Sequence, residues 1–172
     1  MKSLLVVVDM QNDFITGSLG TKEAQAILPA AAERIKSWAG DIAVTQDTHY
    51  DTYFDTQEGK KLPVMHCLNR SYGHFINTEI QKALRGKGCV RYFEKISFGS
   101  PALIEYIKEK EYDRIDFIGL CTDICVVSNA LLCKSFFPEA EIVVDSKCCA
   151  GTSKENHKAA LKTMQACQIE VI

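Results

Sequence analysis

No two of the eight cysteines in this sequence are spaced Cys-x-x-Cys, so a zinc ribbon and a thioredoxin-type redox pair both lack their basic element. Long apolar runs are missing too. The longest near the N-terminus, Leu4 to Val8, stops at Asp9, far short of a signal peptide's apolar region or a membrane span. The expected location is therefore cytoplasmic, with the cysteines reduced and serving as buried packing or as chemistry. The adjacent Cys148 and Cys149 read as buried filler. Excess charge of one sign is absent: the net charge is -2 and basic residues are scattered, which gives no footprint for nucleic acid or a membrane surface. The expected partner is a small molecule. Low-complexity tracts are absent, and 172 residues suit one domain, 1–172, with one active site.

What is present is a regular alternation. Apolar runs rich in Val and Ile predict six strands at Ser3–Val8, Asp41–Thr45, Cys89–Phe93, Arg114–Leu120, Glu141–Val144 and Gln168–Ile172. Helical spacing between them predicts helices at Glu23–Trp38, Asn77–Leu84, Pro101–Lys110, Thr122–Phe136 and Lys154–Ala166. Ser100 followed by Pro101 is a capped helix start. Strands apolar on both faces and alternating with helices imply an α/β fold, a three-layer α/β/α doubly wound sheet of about six mostly parallel strands. The stretch Gln46–Tyr72 fits no element, and a connection that long is more often functional than idle.

In open parallel sheets ligands bind beyond the carboxyl ends of the strands. Those positions hold Asp9, then Asp47 and His49, then Glu94 and Lys95, then Cys121-Thr-Asp-Ile-Cys125. An acid, a base, a thiol and candidate metal ligands thus share one edge. Cys125, where strand turns into helix with Thr122 or Asp123 as the expected cap, faces free N–H groups and the positive end of a dipole, which favour thiolate and can hold an oxyanion. A lone cysteine there would read as packing; the neighbouring strand ends make it the candidate nucleophile. Asp9, closing a buried strand, suits a general base and acid through a raised pKa. Lys95 is placed to hold the Asp9 carboxylate. Asp47 and His49 point the same way on an extended segment, and with Glu58 and His66 farther along they form a set suited to zinc, iron or manganese. His74 and His157 read as surface residues, and Trp38 as core.

The segments Val8-Asp-Met-Gln-Asn-Asp-Phe14, Asp47-Thr-His49, His66-Cys67, Glu94-Lys95 and Gly119-Leu-Cys-Thr-Asp-Ile-Cys125 resemble, in that order and nearly end to end, the isochorismatase-like cysteine hydrolases, most closely their nicotinamidase branch. The resemblance implies a catalytic triad of Asp9, Lys95 and Cys125 and a cis peptide between Leu120 and Cys121. It also implies an oxyanion hole from the backbone N–H groups of Cys121 and Cys125. The implied cofactor is a divalent metal, zinc in the first instance with iron or manganese as alternatives, on Asp47, His49, His66 and, as the variable fourth ligand, Glu58. The implied activity is hydrolysis of nicotinamide to nicotinate and ammonia, a step of NAD salvage. Such enzymes occur as monomers, dimers and tetramers, which leaves a homo-oligomer open.

One departure bears on the substrate. Nicotinamidases commonly place a ring-stacking tryptophan shortly before the His-Cys pair, where this sequence has Leu62-Pro-Val-Met65. Phe14 and Tyr53 remain as aromatic walls. An amidase of the same family acting on a carbamoyl or ureido compound is the enzyme alternative; a metal- or ligand-binding module, or a redox pair of Cys121 and Cys125, is the non-enzyme one. Vinyl-ether hydrolysis by true isochorismatases does without the cysteine, so Cys125 argues against it. The length of the 51–72 loop suits a lid.

Overall fold

In the computed structural model of the chain, which describes residues 2–172, alternate residues of strand β1 (Ser3–Val8) enter different cores. Leu4, Val6 and Val8 face one side, Leu5 and Val7 the other, and all five are fully buried. A strand reads as continuously apolar only when helices cover both faces. After β1 come α1 (Asn12–Ile15), α2 (Lys22–Ala26), α3 (Leu28–Ser37), β2 (Asp41–Asp47), a 3-10 turn (Tyr53–Asp55), α4 (Gln57–Lys61), α5 (Thr78–Leu84) and β3 (Val90–Lys95). Then follow α6 (Pro101–Lys110), β4 (Arg114–Leu120), a π-turn (Thr122–Val126), α7 (Val127–Phe136), β5 (Glu141–Ala150), α8 (Lys154–Ala166) and β6 (Glu170–Val171).

The six strands form one sheet in the order β3-β2-β1-β4-β5-β6, with every pairing parallel. Chain order therefore reverses beside β1. Connections leave β1 toward β2 on one side and return to β4 on the other, which opens a crevice at their carboxyl ends. Pairing of Val8 with both Thr45 and Gly119, and of Asp47 with Lys95, brings the ends of four strands level. Gly119 is required for this closeness: its φ is +120° and a Cβ there would strike the Val8 carbonyl.

Several boundaries depart from expectation for local reasons. The helix expected over Glu23–Trp38 is two helices meeting at Ile27, because Pro29 in the first turn of α3 has no N–H to continue a ladder. Trp38 sits beyond α3, half-buried, with its indole N–H donating to the Asp41 carbonyl at 3.1 Å. Strands β2 and β3 run on to Asp47 and Lys95, so both side chains are fixed by sheet pairing. Strand β5 continues past Val144 to Ala150 through a register shift opposite Phe117 and Gly119, where Asp145-Ser-Lys147 interrupts the apolar pattern. Strand β6 is reduced to two residues. The stretch 46–72 carries the 3-10 turn and α4, whose Thr56 cap accepts from the Gly59 N–H. No helix among the described residues is long and apolar enough to cross a membrane.

Candidate active site

The end of β1 supplies the central carboxylate. Asp9 is fully buried and adopts φ +46°, a left-handed backbone uncommon for a non-glycine residue. Thr45 donates its hydroxyl hydrogen to Asp9 Oδ1 at 2.7 Å, and Lys95 Nζ lies 2.7 Å from Oδ2. Burial is the main force raising the Asp9 pKa, with the Lys95 charge working against it. For Lys95 burial works toward neutrality, but the negative charges of Asp9 and Asp47 outweigh it and keep the side chain an ammonium. That ammonium also lies 3.5 Å from Cys125 Sγ and 3.6 Å from Asp47 Oδ1.

Cys125 sits in the π-turn, a wider coil than the α-helical first turn expected there. Cys121 occupies the cap position without a side-chain bond. Thr122 instead pairs with His157 Nδ1 at 2.8 Å, and Asp123 accepts from the Thr152 N–H and hydroxyl. The peptide joining Leu120 and Cys121 is cis. The Cys121 carbonyl accepts from the N–H groups of Ile124 and Val126, which curls the turn around Cys125. Contrary to the expected thiolate, the Cys125 pKa is raised: burial excludes charge, and the Asp9 carboxylate adds to it against the partial offset from Lys95. The resting group is a thiol that needs a base, and Asp9 stands across the same ammonium.

Beside this triad lies the second cluster. Asp47 Oδ2 is 3.0 Å from His49 Nε2 and 3.3 Å from His66 Nε2, while Glu58 Oε1 is 3.7 Å and 3.6 Å from the same nitrogens. One ligand atom from each of the four residues falls within 4.8 Å of every other. His66 Nδ1 donates to the Val64 carbonyl at 2.8 Å, so its Nε2 faces the carboxylates with a lone pair unless protonated. Two imidazole nitrogens and two carboxylate oxygens converging in this way fit a divalent cation, and the Nδ1 anchor is the outer bond such a ligand needs. Although burial raises it, Asp47 is held far below the usual carboxylate range by hydrogen bonds from His49 and His66 and by the Lys95 charge. Burial and the Asp47 charge push Glu58 up.

Asp9, Lys95, Cys121 and Cys125, the four residues of the second cluster, and Phe14 and Tyr53 meet here, but they do different work. Phe14 lines the cavity with its ring 5.5 Å from that of His66. Tyr53 also lines it, yet its ring packs edge-on against His49 and its hydroxyl donates to the Leu62 carbonyl at 2.8 Å, so it braces that four-residue cluster. Glu94 points outward. His74, expected on the surface, is buried with Nε2 3.0 Å from Thr48 Oγ1.

Two residues missed in the sequence hold the site together. Gln11, fully buried, accepts from the Asp47 N–H at 2.8 Å and donates to the carbonyls of Asp47 and His74, both at 2.8 Å. Asp13 accepts from the Cys67 N–H at 2.7 Å and donates its own N–H to the Gly73 carbonyl. Cys67, next to His66, has φ +46°, so this bond steadies an uncommon backbone. Their signal was their place in Asp-Met-Gln-Asn-Asp-Phe, immediately after Asp9.

The triad and the cluster open on one cavity of about 1020 Å³. Residues 3–172 match the family model described as the Isochorismatase domain. A nicotinamidase/pyrazinamidase of Mycobacterium tuberculosis is 25% identical over 98% of this chain and 97% of its own length. The crystal structure of N-carbamoylsarcosine amidase from Thermoplasma acidophilum superposes with a TM-score of 0.80 at 26% identity, over 99% of this chain and 95% of that one. The pyrazinamidase of Pyrococcus horikoshii in complex with zinc has the same fold, with a TM-score of 0.84 at 22% identity over 100% and 99% of the two chains.

Proposed function

Because the chain belongs to the isochorismatase family, and within it to the nicotinamidase branch of amidohydrolases, we propose that it hydrolyses nicotinamide to nicotinate and ammonia through a thioester on Cys125. The carrying observation is the convergence of Asp9 and Cys125 on the buried Lys95 ammonium.

Asp9 takes the thiol proton of Cys125, and the sulfur attacks the amide carbon to form a C–S bond. The oxyanion is received by the N–H groups of Cys121 and Cys125 at the cis turn, with the Lys95 ammonium close by. Collapse breaks the C–N bond, and Asp9 returns the proton to the departing nitrogen, which leaves as ammonia. Asp9 then deprotonates a water that attacks the thioester; the C–S bond breaks, the acid leaves and Cys125 regains its proton. Lys95 keeps the base ionised enough to act in spite of its burial. Asp47, His49, Glu58 and His66 would hold a divalent cation, zinc, iron or manganese, which when bound would supply Lewis-acid polarisation of a substrate atom or water. With nicotinate as product, the proposed role is a step of NAD salvage in the cytoplasm.

A second reading, a carbamoyl or ureido amide as substrate, is favoured by Leu62 standing where a stacking ring is common and by the likeness to N-carbamoylsarcosine amidase. Ammonia release from nicotinamide and from an N-carbamoyl amino acid, by wild type and Cys125→Ala, decides between them. Release from nicotinamide that vanishes in the variant supports the first reading; release from the carbamoyl compound alone supports the second. Full activity in Cys125→Ala overturns the mechanism shared by both.

A further inference from the structure

The proposed reaction uses little of the cavity. At about 1020 Å³ it stands at the upper end of the roughly 300–1,000 Å³ typical of sites for drug-sized ligands, whereas nicotinamide is a single ring bearing a carboxamide. The unused wall is apolar and comes from four separate segments: Leu19 and Ala24 around the start of α2, Leu62 after α4, Ile96 and Phe98 after β3, and Ile124 in the π-turn.

Most hydroxyls on that wall are already engaged. Thr21 accepts from the Ala24 N–H, Thr56 donates to the Tyr53 carbonyl, Ser97 donates to the Gly99 carbonyl, and Thr152 donates to Asp123. The hydroxyls of Thr56, Ser97 and Thr152 thus give a ligand contact area rather than a donor, while Tyr50, Thr52, Gln57 and Lys61 are the polar groups left on the lining. Two of the apolar residues stand in water: Ile96 is 73% exposed and Phe98 46% exposed, although both line the cavity. Apolar surface that stays wet at the mouth of a catalytic cavity gains most when a ligand covers it. Leu62 adds a further aliphatic face to the same wall.

We propose that the site is built for primary carboxamides whose acyl part is bulky and apolar, an aryl group carrying a second ring or a hydrocarbon chain. This rests on the amidohydrolase reading for the carboxamide and its direction; the apolar extension rests on the cavity wall. The amide lies at Cys125, and the apolar extension runs along Leu19, Leu62, Ile96 and Phe98.

The test compares benzamide with biphenyl-3-carboxamide, which share the reacting group. Isothermal titration of each into metal-loaded Cys125→Ala protein reads binding without turnover. Each buried methylene-sized group multiplies affinity about fourfold, so the biphenyl compound should bind at least tenfold more tightly. Equal or weaker binding overturns the inference. In the wild-type enzyme the ratio of kcat/KM for the two amides should favour the larger, and Ile96→Ala with Phe98→Ala, both changes at exposed positions, should shrink that ratio at least threefold. An unchanged ratio removes these residues from the binding wall and overturns the inference as drawn. Tight biphenyl binding with no ammonia released from any amide would uphold the cavity inference while refuting the amidohydrolase reading. Turnover of benzamide and nicotinamide with no gain for the larger amide would do the reverse.

Discussion

Replacing Lys95 by Met keeps much of the side chain's length and removes its charge, which isolates what the ammonium does. It lies 2.7 Å from Asp9 Oδ2, 3.5 Å from Cys125 Sγ and 3.6 Å from Asp47 Oδ1. Asp9 is fully buried, and Thr45 is its other side-chain partner. Stripping one member from a buried ion pair costs about 3–5 kcal/mol when the other must stay charged. For a domain of this size each kcal/mol lowers Tm by roughly 2–4 °C. A fall of about 6–12 °C is expected at alkaline pH, taking the lower end of that cost. The sign with pH is fixed: a protonated Asp9 needs no counter-charge, so the stability gap between variant and wild type should narrow as pH falls. Without Lys95 the Asp9 pKa rises further, and the acid limb of kcat/KM, which reports the free base, should move to higher pH. At neutral pH activity should drop by about 10²–10⁴, the usual worth of a positioned acid–base group. Differential scanning calorimetry at two pH values and a pH–rate profile read all three effects. A variant within threefold of wild type, with its acid limb unmoved, would refute the role given to Lys95.

Other consequences follow from the same geometry. Gln11→Ala strips hydrogen bonds from the Asp47 N–H and the Asp47 and His74 carbonyls; it should lower stability by about 2–4 kcal/mol in urea unfolding and weaken metal retention on dialysis. Gly119→Ala combines a φ of +120° with a clash against the Val8 carbonyl, and should cost about 3 kcal/mol or more by the same method. Chelation should lower both Tm and activity, and zinc, manganese or ferrous ion should restore them to degrees that identify the preferred metal. Because the Cys125 pKa is raised, alkylation by iodoacetamide should be slow at neutral pH and should accelerate through the alkaline range; rapid loss of activity at pH 6 would contradict a resting thiol.

Much of this was legible in the sequence because the two signals that mattered are strong. Unbroken Val and Ile runs separated by helical spacing specify a doubly wound sheet, and the sheet's switch point then says where to look for chemistry. Asp9, Asp47, Lys95 and Cys125 were found by that rule alone. What stayed hidden depended on long-range contacts. The polar interruption at Asp145-Ser-Lys147 reads as the end of a strand, and only pairing with β4 and with the chain terminus carries it on to Ala150. His74 looks like any loop histidine until Thr48 and the Gln11 amide fold against its segment. The thiolate expectation took account of the turn's dipole but not of complete burial beside a carboxylate, and burial is the larger effect here.

The two clusters differ in how the chain supplies them. Asp9, Lys95 and Cys125 come from three different strand ends, and no one of them can be moved without disturbing the sheet. The four residues of the second cluster all lie between positions 47 and 66, in one stretch of which only Asp47 belongs to a strand. A change confined to that stretch should therefore alter the second cluster before it alters the spacing of Asp9, Lys95 and Cys125. Asp47, in contact with both the ammonium and the histidines, is the hinge pin of that arrangement, the one residue to keep fixed when the stretch is transplanted.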